Sequence, residues 1–386
     1  MLSAERCDEL ARQWSLRPGV TYLNHGSFGP APRSVLAARQ AWFEQLESEP
    51  VDFFNRQLEP SLAAVRQRLG TVIGCSGDDL ALVDNATVAM NCVARSIRLK
   101  RGDEVLVTDH EYGAVVRLWQ QECDAAGARI VTAQLPEPLV SAEETADALV
   151  SAATSRTRLV VFSHVTSPTA VVLPAEAICR RARAAGLTVC IDGPHAVGML
   201  PLDLARLDCD YYTASCHKWL SAPLGSGFLY VHPRNQASVR PAIVSWGKPM
   251  ASGPSWRDEF VWQGTRDPSA VLSIPTALEF FADVGWEAFR AHTHGLAQVA
   301  RRLVSEVTGH EPLVPDSPEW YASMISLPLP AGSEPSLQTA LWERYRIEIP
   351  LTPWKGRVWI RPSCHLYTRV EHLELLARAL GELLKG

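Results

Sequence analysis

Two residues carry the first chemical signal. Asp192 ends the run LTVCIDG, and Lys218 follows the run DYYTAS. Both runs are short, β-rich and bounded by turn residues, as strands are. Lysine is seldom placed where its ammonium must lose water, yet Trp219 and Leu220 come directly behind Lys218. A carboxylate at one strand end and an amine at another suit pyridoxal phosphate. The amine forms a Schiff base with the aldehyde, and the carboxylate keeps the ring nitrogen protonated so that the ring accepts electrons. The phosphate then needs donors. Asp84-Asn85-Ala86-Thr87 turns from an apolar run straight into a helix pattern, which offers free N–H groups and the Thr87 hydroxyl. Ser215 adds a second hydroxyl.

Other strand ends add to the set. One delivers His110-Glu111-Tyr112, another His164-Val165-Thr166-Ser167, and His195 and His217 flank the key pair. Singly, each has a plainer reading: Asn85 or Thr87 as a helix N-cap, a lysine after a strand as a solvated loop residue. Asp192, His195 and His217 are also ordinary metal ligands, but a metal leaves Lys218 and the helix start at 85–87 without a role. A nicotinamide site is weaker still, because the GSG at 225–227 is not a GxGxxG fingerprint and precedes a strand.

The elements that must position these residues alternate from about residue 60. Leu62, Val65 and Leu69 share one helical face that closes near Gly70 and Gly74. Strand LALVDN, helix TVAMNCVARSIRL, strand DEVLVTD, a helix ending near Gly127 and strand ARIVTAQL follow. Ser141 and Glu144 then have capping-box spacing at the head of another helix. Strand RLVVFSH, a helix from Pro174 to Gly186, and LTVCIDG complete the series. Continuous apolar runs such as LVVF suit strands covered on both faces. The alternation predicts an α/β domain with a large doubly wound, mostly parallel sheet, whose ligands gather at the carboxyl ends of the strands. Residues 233–268 read as loops and a domain junction. MISLPLP, RYRIEIP and RVWIRPS read as strands, and VEHLELLARALGELL as a closing helix, together a smaller α+β C-terminal domain. The expected division is an arm at 1–20 packing on the small domain, a cofactor domain at 21–262 and the small domain at 263–386.

With 386 residues, 47% hydrophobic and 20% charged, the chain has ample material for both cores. A net charge of −5 disfavours a nucleic-acid partner. No apolar run is long enough to span a bilayer and the polar start does not read as a signal peptide, so the expectation is a cytoplasmic protein without a membrane partner. Nine cysteines with no CxxC pair read as reduced packing residues, with no metal expected.

Nine stretches in order, YLNHGSFGPAP, VDNATVAMN, TDHEYGA, FSHVTSPTAVVLP, IDGPHAVG, SCHKWLSAPLGSGFLYV, VSWG, FVWQGTRDPSA and IRPSCHLYT, resemble the class V aminotransferase family of fold-type-I pyridoxal-phosphate enzymes, and within it the isopenicillin N epimerase-like proteins. The resemblance implies a catalytic set of Lys218 as the Schiff-base lysine, Asp192 as the pyridinium partner and His195 as a hydrogen-bond partner of the ring oxygen. It implies Tyr112, rather than His110, stacked on the ring, and Ala86, Thr87, Ser215 and His217 as the phosphate cup. Gly264 and Thr265 would complete the cup of a partner subunit, which implies a homodimer. Arg361 would grip the substrate carboxylate through its planar fork, with Thr166, Asn24 and His25 at the cofactor and substrate side.

Pro194, Ala170 and Ser215 depart from the commonest pattern, which has Ala, Gly and Asn there. The loop IEIPLTPWKGRVWI before Arg361 holds no cysteine, which argues against a persulfide mechanism. The implied reaction begins with an amino acid displacing Lys218, which then serves as base at Cα. C–S β-elimination from a cysteine conjugate in antibiotic or thiol metabolism stands first. Epimerisation, decarboxylation-coupled deamination and transamination follow. A non-catalytic cofactor-binding regulator is the reading of another class, opposed by the intact Lys218, Asp192 and Arg361. Trp246, Trp256, Trp262 and Trp354 have two readings, a bulky pocket or packing.

Overall fold

The computed structural model describes residues 2–246 and 255–385. Gly247, the last residue of the VSWG stretch, lies outside the described residues. Ahead of the alternating part stand α1 (Ala4–Ala11), β1 (Thr21–Tyr22), α2 (Arg33–Ser48) and α3 (Leu58–Ile73). Next come β2 (Leu80–Val83), α4 (Ala86–Ser96), β3 (Glu104–Thr108), α5 (Gly113–Ala126) and β4 (Arg129–Ala133). They are followed by α6 (Ala142–Val150), β5 (Thr157–Ser163), α7 (Ala175–Ala184), β6 (Thr188–Asp192), β7 (Tyr211–Ser215) and β8 (Gly227–Val231). The C-terminal part holds α8 (Ile274–Val284), α9 (Trp286–Thr308), β9 (Leu327–Pro328) and α10 (Ser336–Tyr345). It ends with β10 (Ile347–Glu348), β11 (Leu351–Trp354), β12 (Arg357–Ile360) and α11 (Val370–Leu383).

Seven strands form one sheet in the order β2-β8-β7-β6-β5-β3-β4, and β8 alone runs against the others. The mostly parallel α/β sheet read from the alternation is therefore present. Alternate residues of each strand enter two separate cores. Leu106, Val160, Phe162, Val189 and Ile191 fill one face, while Val105, Val107, Leu159, Val161 and Cys190 fill the other with Met90 and Trp119. This period of two is what a covered strand requires, and it explains why the strands read as unbroken apolar runs. Gly127 caps α5 in the left-handed region, at φ 69°, and Ser141 caps α6 by accepting the Glu144 N–H at 3.3 Å.

Two parts depart from the sequence reading. Helix α2 buries only Val35 and Leu46, and its Pro32 cap makes no side-chain bond, so it carries neither a strong stripe nor a start signal. In MISLPLP only Leu327 and Pro328 join a ladder, because prolines 328 and 330 cannot donate to one. The C-terminal elements are tied to the rest of the chain. Helix α8 packs on α2 and α3, α9 packs on α11, and β1 pairs in parallel with β10. Trp14, just after α1, sits edge-on to Phe280, His365 and Tyr367.

The loop between β5 and α7 turns back tightly: Thr166 Oγ1 accepts the Val171 N–H at 2.9 Å, and the Thr166 carbonyl accepts the Ala170 N–H at 3.0 Å. The turn holds Ala170 at φ 56°, a conformation that disfavours any residue with a Cβ by roughly 1–2 kcal/mol. Glycine removes that strain but loses more chain entropy on folding. Ala170→Gly is expected to stabilise the fold by about 0.5–1 kcal/mol, read as a higher urea midpoint. A lower midpoint would contradict the strain argument.

Candidate active site

A cavity of about 210 Å³ opens where β5, β6 and β7 end and α4 begins. Its lining includes Ala86, Thr87, Tyr112, Asp192, His195, Ser215, His217 and Lys218, so one space gathers eight of the residues singled out from sequence. Parallel strands bring their carboxyl ends to one edge, and the helix starts point there as well.

Lys218 reaches this space from the turn after β7, and its Nζ lies 3.2 Å from His195 Nε2. Loss of hydration lowers its pKa to about 7, helped by the Arg361 charge and opposed by Asp192. Asp192, at the end of β6, accepts the Thr213 hydroxyl at 2.9 Å. Burial raises its carboxyl to about 6 against that bond and the Lys218 charge. Gly193 lets β6 turn away at this point, since a Cβ there would lie 2.1 Å from the Tyr212 ring. His217 is lowered to about 4, by burial first and by the Lys218 charge second. Its buried Nδ1 has no partner among the described residues.

The start of α4 forms the other wall. Asn85 caps it by accepting the Val88 N–H at 3.0 Å, and Ser215 Oγ accepts the Ala86 N–H at 2.9 Å. The Ser215 hydroxyl, which lines the cavity, keeps its proton free to donate. The Tyr112 ring stands half-exposed at the lining, whereas His110 is buried, 2.7 Å from Thr169 Oγ1 and packed on Trp354.

Arg361 is buried beside the cavity. It donates to Ser27 Oγ at 2.9 Å and to the Ser167 carbonyl, and its Nε has no partner among the described residues. Ser27 and Ser167 both line the cavity; Ser167 was read from sequence only as part of a strand end, without a role, and Ser27, an isolated serine in a loop, carries no pattern. Besides Arg361, five expected residues stand outside the lining: Thr166, Asn24, His25, Gly264 and Thr265. Thr166 spends its hydroxyl inside its own loop, on Thr169 and Val171. Asn24 is buried in a bridge to Ser363. His25 lies behind the lysine, with Nε2 3.0 Å from the Lys218 carbonyl and Nδ1 2.7 Å from the Tyr367 hydroxyl. Both of its nitrogens are occupied, so no substrate bond is open to it. Gly264 borders a separate small hollow with Leu58 and Phe260, and Thr265 is exposed. The four tryptophans are packing or surface residues. Trp256, Trp262 and Trp354 sit against Phe260, Phe54 and Trp359, and Trp246 is 97% exposed.

The Aminotransferase class-V family model matches residues 21–364. The chain belongs to the class V aminotransferase family. It is 40% identical to the isopenicillin N epimerase of Streptomyces clavuligerus, over 97% of this chain and 98% of the relative. It is 30% identical to a probable chloroplastic L-cysteine desulfhydrase of Arabidopsis thaliana, over 95% and 84%. In fold it is similar to a cystine C–S lyase solved with its product cysteine persulfide, with a TM-score of 0.83, 24% identity, and 95% and 98% of the two chains covered. The protein is thus an enzyme of this class V family, and its cofactor is pyridoxal 5′-phosphate.

The residues fit that class V cofactor. A carboxylate raised by burial is one that a protonated ring nitrogen would satisfy. The unpartnered His217 Nδ1 and the Thr87 N–H, the first-turn amide of α4 not taken by Ser215 or Asn85, suit an anionic oxygen. Among the described residues, no group of three or more His, Cys, Asp or Glu side chains is placed to hold a metal ion, and no helix is long and apolar enough to cross a membrane.

Glu111 is a further buried acid that sequence reading left without a role. Its carboxylate accepts the Thr108 hydroxyl at 2.6 Å, the Ser163 hydroxyl at 2.7 Å and the Ser163 N–H at 3.1 Å. It thereby ties the Tyr112 turn to the end of β5. Burial raises its pKa from 4.5 to about 7 despite these bonds. An acid raised in the fold ionises earlier when unfolded, so this group's contribution falls as pH climbs from about 4.5 to 7 and stays low above that. Glu111→Gln is expected to gain on the order of 2 kcal/mol over the parent between pH 5 and pH 8, measured by denaturant unfolding at both pH values. A difference independent of pH would contradict the buried-acid assignment.

Proposed function

We propose that this enzyme removes the Cα proton of a cysteine-derived amino acid and eliminates the Cβ thiol, acting as a C–S β-lyase. The observation that carries the reading is the Lys218 amine, its pKa lowered to about 7 and its Nζ 3.2 Å from His195, beside a buried arginine with a free edge. In this reading Arg361 receives the substrate carboxylate, a pairing that suits its planar fork. Asp192, the Thr87 amide and hydroxyl, Ser215 and His217 hold the cofactor at ring nitrogen and phosphate, and Tyr112 covers its ring. When bound, the cofactor supplies an electron-withdrawing ring that spreads the negative charge left at Cα. Lys218 Nζ, free of an ammonium proton, takes the Cα proton. The electron pair left behind forms a Cα–Cβ double bond as the Cβ–S bond breaks. The thiolate takes a proton and leaves, and hydrolysis of the remainder yields pyruvate and ammonia. One base is enough for this sequence. The relationship to L-cysteine desulfhydrases over nearly the whole chain supports it.

Epimerisation is the second reading, favoured by the higher identity to isopenicillin N epimerase. It needs a second acid on the opposite face of Cα, and the Tyr112 hydroxyl is the group at the lining that would serve. We also propose a homodimer in which Gly264 and Thr265 of one protomer complete the phosphate cup of the other. Their position away from this chain's own cavity supports that arrangement.

Proton NMR of the cofactor-loaded enzyme with S-alkyl-L-cysteines in heavy water separates the readings. Pyruvate and free thiol appearing together are expected, with the rate lowered at least about 10³-fold in Lys218→Ala. Loss of the Cα proton signal from otherwise intact substrate would replace the lyase with the epimerase. Arg361→Gln is expected to raise KM for the same substrates by about 10–100-fold through loss of a charged pair. An unchanged KM would remove Arg361 from carboxylate binding.

A further inference from the structure

We infer that Trp219 fixes His195 as a one-way hydrogen-bond donor toward Lys218, so that Trp219 is a positioning residue and His195 is not the base at Cα. The indole N–H has a proton to give and no lone pair to offer. Trp219 Nε1 lies 3.3 Å from His195 Nδ1, and Trp219 is fully buried, so no water competes for the contact. His195 Nδ1 must therefore present its lone pair, and the neutral ring carries its proton on Nε2. That nitrogen faces Lys218 Nζ at 3.2 Å. An ammonium is a donor only, so the contact is a hydrogen bond when the Lys218 amine is neutral and offers its lone pair. The surroundings favour the same state. Burial holds the His195 ring far below its usual pKa, and the Arg361 charge adds to that effect.

The consequence is chemical. The one basic lone pair of His195 points away from the cavity and is already bonded, while the nitrogen facing the cavity bears a proton. A proton leaving Cα has nowhere to land on this ring, which leaves Lys218 to take it. Adjacent residues thus divide the work: Lys218 supplies the amine, and Trp219 sets the proton of the neighbour that faces it. The mechanistic consequence rests on the proposed role of Lys218; the tautomer itself does not.

Nitrogen-15 NMR of the histidine-labelled apoprotein reads the tautomer directly, with His195 assigned by its loss in His195→Gln. A single Nε2–H form is expected. An Nδ1–H form, or a ring protonated on both nitrogens, would overturn the inference without any variant having to fold. Trp219→Phe keeps the ring and removes the donor, and a second tautomer is expected to appear. Trp119→Phe is the packing control, since Trp119 is also fully buried and its N–H has no partner. An unchanged His195 in Trp219→Phe, or an equal change in Trp119→Phe, would remove the positioning role. In the loaded enzyme, glutamine can accept from Trp219 and donate toward Lys218. His195→Gln is therefore expected to recover at least about tenfold of the Cα deuterium exchange lost in His195→Ala. Equal losses would make His195 the base. Failure of added cofactor to give a new absorption band, with the tautomer as expected, would reject the role of Lys218 and leave the Trp219 assignment standing.

Discussion

An amine at the end of a strand covered on both faces loses most of its hydration, and this protein responds by lowering the amine's affinity for a proton. Lys218 is drawn in opposite directions. Desolvation and Arg361 push its pKa down while Asp192 pulls it up, and the first two prevail. A lysine with an ion-pair partner on its amine would be a stable ammonium and a poor nucleophile. Here the amine instead contacts His195, itself held neutral by burial and by the Arg361 charge. The site depends on this balance, because both covalent attachment and proton removal require the amine's lone pair.

The fold makes the balance possible. Six strands running one way, with the two cores divided between alternate residues, place Ser163, Asp192 and Ser215 at one edge of the sheet. The pairings Ser163–Asp192 and Asp192–Thr213 set the register, and a slip of one residue would send these side chains into the opposite core. The α4 start then closes the edge with amides, through the bond from Ala86 to Ser215. From the other side, β12 leads into Arg361, and the bonds of that guanidinium to Ser27 and Ser167 join three distant parts of the chain.

Much of this was legible in the sequence, for physical reasons. Strands buried on both faces leave unbroken apolar runs, helices between them leave a period near four, and the ends of both mark where a ligand binds. Asp192, Ser215, His217 and Lys218 were visible because each follows such a run. Residues that act through tertiary contacts alone left no signal. Ser27 is a single hydroxyl in a loop, and Ser167 and Glu111 read like any polar residues after a strand. His25 belonged to a stretch that matched the family, but the match did not tell which side of Lys218 the ring would occupy. It lies behind the lysine, tied to its carbonyl. Helix α2 was missed because its stripe and cap are incomplete, and β9 is shorter than the strand read at MISLPLP because prolines interrupt its ladder.

The claim that most of the account stands on is that Lys218 is the lysine that binds the cofactor. The direct measurement is borohydride reduction of the enzyme loaded with pyridoxal 5′-phosphate, followed by proteolysis and mass spectrometry of the lysine peptides. The account predicts a reduced phosphopyridoxyl adduct on the peptide holding Lys218, and no adduct when Lys218 is replaced by alanine. An adduct on Lys100, Lys355 or another lysine in the parent protein, or none at all, would contradict it.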